Sequence, residues 1–488
     1  MVKEEQPSDG SRQPRRLNRK QRRKLQRQLK SNDPGLTVVN ANAAGIDVGN
    51  ENHYVAVPPD RDPEPVQMFG CCTGELYRLA EWLERCRIDT VALQATGVYW
   101  FTLFTILTGK GIKVTVVNAI YTKNVPGRKS DVQECQWLMK LHTYGLLADS
   151  FHLPQWMEKV RTVWRVRAIH VAEASRAVQH MQKALTKMNV QLANALSDIS
   201  GVSGQAIVKA ILGGERDPYR LADLRDKRVK ATREEVARSL EGLWREDLLF
   251  ELQQAVDSYD FTQQQMEVCD RKLQAYLAEL PARPLPCPGQ AGCAEPVGPA
   301  EQAARRKARR KAKPKGNAPK FDLQTELTRI AGVDLTSIDG ISLMTAQTIL
   351  AEVGPDLSAF PDEDHFASWL GLCPNKDITG GKVIRRARKK VRNRVAEALR
   401  TAASTLKESH SYLGAKYRHF KRQLPAKTSA VKAMAHYLAV LVYRLLTHGQ
   451  AWVDQGEAQH QHQREERELA RLQARAAAKG LKLVPMQA

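Results

Sequence analysis

Hydrophobic positions between residues 43 and 150 come in short runs whose period changes repeatedly. Residues 44–48, 53–58 and 65–70 alternate or run apolar over a few positions and read as three strands, the first two separated by the polar turn Asn50-Glu51-Asn52. An amphipathic helix is predicted over 74–86, then a strand from Asp89 to Ala95 and a helix from Trp100 to Thr108. A strand from Ile112 to Asn118 and a helix from Asp131 to about Tyr144 come next. From 160 to 280 the period is helical throughout. Val171, Ala174, Val178, Met181, Leu185, Met188, Leu192, Ala195 and Ile199 keep 3,4 spacing, as do Leu252, Ala255, Tyr259, Thr262, Met266, Cys269, Leu273, Tyr276 and Leu280. Two such seams around a small insert at about 200–247 predict a coiled-coil hairpin or a dimerising arm.

Three strands, then helix, strand, helix, strand and helix is the order of a mixed sheet whose parallel crossovers begin after the third strand. This is the ribonuclease H-like α/β order. A doubly wound nucleotide-binding fold would need parallel strands from the start and a Gly-rich first loop, and neither is present. The pattern divides the chain into a basic arm (1–40), a ribonuclease H-like domain (41–155), the helical region (156–280), a linker (281–320), a mostly helical domain (321–452) and a charged tail (453–488). In the fifth segment, Leu335 to Ser342 followed by a helix to Val353 has the outline of a helix-hairpin-helix. There Gly340 and Ser342 would turn backbone N–H groups toward a phosphate. A Gly turn at Thr379-Gly380-Gly381 precedes a basic stretch predicted as helix, with Arg385, Arg386, Arg388, Lys389, Lys390, Arg392 and Arg394.

Charge adds a partner to this outline. Lys and Arg number 75 against 53 Asp and Glu, a net charge of +22 concentrated in runs, which favours a polyanion such as nucleic acid. The runs lie at Arg15–Arg27, at Arg128-Lys129, at Arg305–Lys311 and from Lys382 to Arg394. Eight cysteines without a repeated CxxC suit reduced thiols in the cytoplasm; Cys287 and Cys293 flank a Pro/Gly loop without a second pair. The N-terminus is charged, not a signal peptide. The apolar run Val431 to Leu446 carries His436 and Arg444 and is expected to be a buried helix too short for a membrane span.

Chemistry concentrates in three places. Asp47 ends the first strand between Gly45 and Gly49, where backbone can approach a ligand closely. Gln94 ends the fourth strand. Asp131 and Glu134 are three apart on a helix and share a face. Carboxylates drawn from a strand end and a helix face suit Mg²⁺ ions gripping a phosphodiester. Capping and helix-dipole stabilisation are the structural alternative for the helix pair.

GIDVG at 45, ATGVYW at 95, VPGRKSDVQECQWL at 125, SIDGISLMTAQTILAEVG at 337 and WLGLCP at 369 occur in that order. Together they resemble the transposases of the insertion sequence 110 family, near its 1111-type branch, over about residues 40 to 450. The resemblance implies a RuvC-like domain with an Asp-Glu-Asp-Asp tetrad, a coiled coil used in dimerisation and a C-terminal transposase domain supplying a serine nucleophile. It also implies a structured noncoding bridge RNA that pairs with donor and target DNA, a tetramer built from dimers, and strand exchange through a covalent phosphoserine link. Carried over, Asp47, Asp131 and Glu134 match tetrad positions, and Gln94 stands where Glu is usual. Thr379-Gly380 stands at the Ser-Gly of the nucleophile. Gln94 keeps an oxygen ligand but removes a negative charge. Thr379 keeps a hydroxyl on a β-branched, stiffer side chain.

Arg128, Lys129, Gly340, Ser342, Lys382, Arg385, Arg386, Lys389, Lys390 and Arg392 are the expected nucleic-acid contacts, Mg²⁺ the expected cofactor, and the nucleoid-bearing cytoplasm the expected location. Two other readings remain open. One is a cleavage-impaired RNA- and DNA-binding protein, and another is a Piv-type DNA invertase. An actin-like kinase shares the opening strand but needs later Gly-rich phosphate loops, which the sequence lacks.

Overall fold

The computed structural model describes residues 37–95, 97–118, 130–284, 317–373, 377–379, 382–385, 393–424, 426–449 and 472–473. Residues 1–36 of the basic arm, Arg128, Lys129, Cys287, Cys293, the Arg305–Lys311 run, Gly380, Arg386, Arg388, Lys389, Lys390, Arg392 and nearly all of the tail lie outside the described residues. The chain divides into two units, residues 1–152 and 153–488.

The first unit is built on five strands: β1 (Ala43–Val48), β2 (Asn52–Ala56), β3 (Val66–Gly70), β4 (Thr90–Ala95) and β5 (Lys113–Asn118). Their order across the sheet is β3-β2-β1-β4-β5. β1–β2 and β2–β3 are antiparallel, whereas β1–β4 and β4–β5 are parallel. The short turn after Gly49 allows the first antiparallel pairing. The later strands are separated by helices long enough to carry the chain back, as parallel neighbours require. Helices α1 (Thr73–Arg85) and α2 (Trp100–Gly109) bury Leu76, Leu79, Leu83, Leu103 and Leu107 with Ile46, Val91 and Leu93 in one core. Helix α3 (Asp131–Thr143) packs on β1, β2 and β4. The strand and helix assignments made from periodicity hold here to within two residues, so the sheet is mixed and ribonuclease H-like in order.

In the second unit the long helices α4 (Gln155–Lys187) and α9 (Glu246–Glu279) lie side by side. They run antiparallel, since Lys187 pairs with Glu251 at one end while the Lys159 ammonium lies over the Tyr276 ring near the other. The first predicted seam does not continue as one helix to Ile199. α4 stops at Lys187, and Asn189 turns the chain with a positive φ of 58°. Leu192 then belongs to a separate short helix, α5 (Leu192–Ala195). Seam spacing survived the break because Met188, Leu192 and Ile199 are buried with Ile207, Val208, Leu221 and Leu240 of the insert, in a core that caps the hairpin. The insert holds α6 (Val202–Leu212), α7 (Pro218–Asp223) and α8 (Arg233–Ser239).

A buried ion pair secures the base of the hairpin and reaches into the later part of the unit. Arg167, 2% exposed, donates through Nε to Asp270 Oδ1 at 2.5 Å and through Nη2 to Oδ2 at 3.3 Å. Its Nη2 also donates to the Asn317 carbonyl at 2.8 Å. Beside it, Arg165 makes a two-pronged pair with Glu352 at 2.9 and 2.6 Å, and Trp164 Nε1 donates to Thr348. These contacts fasten α4 to helix α11 (Leu343–Val353), which comes after α10 (Leu323–Ala331) and a 3₁₀ turn at Leu335–Ser337.

The rest of this unit comprises α12 (Glu363–Trp369), strands β6 (Asp377–Thr379) and β7 (Lys382–Arg385), α13 (Arg394–Thr405), α14 (Tyr412–Gln423) and α15 (Lys427–His448). Arg385, expected within the basic helix, instead ends the strand over residues 382–385. Ile378 and Val383 are β-branched partners in an antiparallel pair joined across two glycines, which favours a hairpin over a helix. The apolar helix α15 is longer than its hydrophobic run suggested. Its stretch Thr428–His448 is long and apolar enough to cross a membrane, but 61% of that window is buried by the protein. Met434, Leu438 and Leu445 are inside, and Arg444 pairs with Glu363 of α12.

Removing one partner of a buried pair leaves the other charge without compensation. Arg167→Ala should therefore destabilise the second unit by about 3–5 kcal/mol. The double change Arg167→Met with Asp270→Leu should recover most of that loss, as read by urea unfolding followed by helix circular dichroism.

Candidate active site

Alternation along β1 sends its side chains to two different faces. Ala44, Ile46 and Val48 enter the core under α1 and α2. Ala43, Gly45 and Asp47 therefore face α3. At Gly45 the helix comes in backbone to strand: a Cβ there would lie 2.2 Å from the Met139 nitrogen and 2.3 Å from the Cys135 carbonyl oxygen. What approaches Gly45 closely is thus the protein's own helix, not a ligand. Gly49 has a related role, since a Cβ there would meet the Asn52 carbonyl at 2.5 Å inside the β1–β2 turn.

β4 alternates in step with β1. Val91 and Leu93 join the α1–α2 core, and Thr90 and Gln94 face α3. The Thr90 hydroxyl lies 2.8 Å from His142 Nε2, near the C-terminal end of α3. His142 meets the beginning of β4 and Cys135 meets the middle of β1, so α3 runs opposite to these strands. Its first turn, with Asp131 and Glu134, consequently lies toward the C-terminal ends of β1 and β4. Ile46 pairs with Leu93 in register, so the next residues, Asp47 and Gln94, stand level on adjacent strands. The structure brings Asp47, Gln94, Asp131 and Glu134 to one face and one end of the sheet.

The surroundings of these four differ. Asp47 and Glu134 are half-buried, Asp131 is exposed, and Gln94 is 3% exposed. Ser130 caps α3 by accepting from the Gln133 N–H, which frees the two carboxylates of the first turn from the capping role. Burial pushes the Cys135 thiol up to about 12, and Asp47 and Asp131 push it the same way. One buried atom therefore senses carboxylates from the strand and from the helix. The donors are oxygen only, the chemistry that Mg²⁺ selects. Among the described residues no group of three or more His, Cys, Asp or Glu side chains is placed to hold a metal ion. Mg²⁺ is commonly held by one or two carboxylates with water and substrate phosphate completing its shell, so the fit of these residues to that ion rests on their oxygen chemistry.

The second unit's candidates are placed by backbone. Thr379 ends β6, where it pairs with Lys382 across the Gly380-Gly381 connection, and Arg385 ends β7. Gly340 has φ 87°, and a Cβ there would lie 3.1 Å from Leu406. Ser342 accepts the Thr345 N–H and so caps α11. Sequence reasoning did not find the Thr90–His142 contact. The signal was present in the seven-residue spacing of Cys135 and His142, which puts both on the sheet-facing side of α3.

Comparison with known proteins identifies two domains. Residues 44–190 match the family model of DEDD transposases of IS110 type, described as Transposase. Residues 334–419 match the model described as Transposase IS116/IS110/IS902 family. No curated protein matches the chain. The first match includes Asp47, Gln94, Asp131 and Glu134, and the second includes Thr379.

His53 and His142 are both buried, and burial holds the pKa of each below its ordinary value. The unfolded chain then binds more protons than the folded one as pH falls below about 6.5, so stability is lost in that direction. Thermal scans should show the first unit's unfolding moving down as pH falls through this range, and His142→Gln should reduce the slope.

Proposed function

Because the chain carries IS110-family transposase domains, we propose that it is a DNA recombinase that cuts and rejoins strands at sites chosen by a structured noncoding bridge RNA. The observation that carries this reading is the convergence of Asp47, Gln94, Asp131 and Glu134 at one end of the sheet. Asp47, Asp131 and Glu134 would hold a divalent cation there, with the Gln94 amide oxygen beside them. When bound, such a cation would supply Lewis-acid polarisation of the scissile phosphate.

The nucleophile is the Thr379 hydroxyl. Its oxygen forms an ester to phosphorus, its proton passes to solvent, and the bond from phosphorus to one neighbouring sugar oxygen breaks, leaving a sugar hydroxyl after protonation. Attack by the exchanging strand's hydroxyl reverses these steps and frees Thr379. The energy of the phosphodiester is kept in the protein–DNA ester, so no external energy source is required.

Target choice by base pairing with RNA leaves the protein to hold backbone and shape, and a +22 chain with clustered Lys and Arg is suited to that work. Gly340, Ser342, Lys382, Arg385 and the basic stretch to Arg392, with Arg128 and Lys129, are the proposed phosphate contacts. A helix-hairpin-helix around Gly340 and dimerisation through the α4–α9 hairpin, extending to a tetramer, complete the proposal. The second reading, a binding protein impaired in cleavage, is favoured by one observation: Gln94, uncharged and buried, occupies the place of an acid in the tetrad.

Two measurements separate these readings. On a nicked substrate the parent should give a covalent protein–DNA adduct in denaturing gels, and Thr379→Ala and Asp47→Ala should each lower its yield at least about 100-fold. An undiminished adduct with Thr379→Ala assigns the ester to another residue. Gln94→Glu should lower the Mg²⁺ concentration needed for half-maximal adduct formation; an unchanged requirement removes position 94 from the metal shell.

A further inference from the structure

Past the end of β4 the chain makes a tight turn whose surface is unusual for a water-facing loop. Val98 is 79% exposed, Tyr99 45% and Phe101 46%. Trp100, between the two exposed rings, points inward and packs edge-on against Phe104 and His152. The turn is fixed: the Phe101 N–H donates to the Val98 carbonyl, and α2 begins at Trp100. Gly97 takes φ +54°, and a Cβ there would lie 3.4 to 3.5 Å from the edge of the Tyr99 ring. The Tyr99 ring therefore has the bare backbone of Gly97 beside one edge, and nearly half of the residue faces solvent. Gly97 lies three residues beyond Gln94, so the ring stands at the sheet end that also carries Asp47.

An exposed aromatic held against glycine at the edge of an acidic site has a specific use in a nucleic-acid enzyme. Bases in a duplex are already stacked on one another. A base freed at a nick or strand end has an unpartnered π-face, and aromatic side chains take it with little regard to sequence. Apolar packing against another protein would favour a wider patch, while here Trp100 is turned inward and the exposed apolar surface is confined to Val98, Tyr99 and Phe101. We propose that the Gly97–Phe101 turn is a stacking platform on which Tyr99 holds an unpaired base of the DNA strand whose phosphate lies at Asp47. Tyr99 is a positioning residue: it touches the base and leaves the phosphorus chemistry to the acidic site. This inference rests on the recombinase reading.

The test uses the full chain and duplexes carrying 2-aminopurine either in an unpaired overhang beside a nick or within intact duplex. The parent should quench the overhang probe. Tyr99→Ala should lose that quenching and bind the overhang DNA about 5- to 150-fold more weakly. Intact duplex should be bound as before, and Tyr99→Phe should behave like the parent. Equal quenching and affinity for Tyr99→Ala and the parent overturn the platform, and leave the recombinase reading standing if the Thr379-dependent adduct still forms. An equal loss on intact duplex also overturns it, because a general folding or binding defect would then account for the change. Failure of the parent to bind any of these DNAs overturns both the platform and the reading beneath it.

Discussion

The first unit depends on one close approach. α3 can lie over β1 only because position 45 has no side chain, and its backbone reaches a separation that any Cβ would prevent. That contact fixes the helix along the strands at its middle, the Thr90–His142 hydrogen bond fixes it at its far end, and the first turn is left above the strand ends. The placement of Asp131 and Glu134 thus results from packing that involves neither residue. A carboxylate site built in this way is positioned by backbone geometry, which varies far less than side-chain rotamers do.

Much of this was legible in the chain itself. β1, β2 and β4 announce themselves by alternation, and the Asp131–Glu134 spacing announces a shared face. What periodicity could not convey was which side of the sheet α3 would cover, because a helix pattern carries no address. Gly45 shows the difficulty: a glycine beside a strand-end Asp suggests room for a ligand, and the room belongs to a helix. The seam from Val171 to Ile199 shows another. Apolar residues at 3,4 spacing stay buried whether they line one helix or two, so Asn189, whose positive φ ends α4, is hidden within a regular pattern. At Arg385 local charge suggested helix, and the pairing of β-branched residues across two glycines prevailed.

The cluster at the sheet end is also uneven in charge. Gln94 is buried level with Asp47, at its least solvated part, where a carboxylate would be costly to hold. The amide lets β4 end in a buried, neutral group, while the exposed Asp131 and the half-buried Asp47 and Glu134 carry the negative charge.

The tie at the base of the helical hairpin has a consequence for how this chain can change over time. Arg167 clamps the Asn317 carbonyl, while the Arg283 N–H donates to the carbonyl of Arg329 on α10. Residues 285–316 thus leave from and return to anchored positions within one unit. Arg305 to Lys311 fall in the sequence between these two anchors. The register of α4, α9 and α10 is held by the anchors themselves, so a change of sequence between Pro284 and Asn317 leaves the contacts that set it in place.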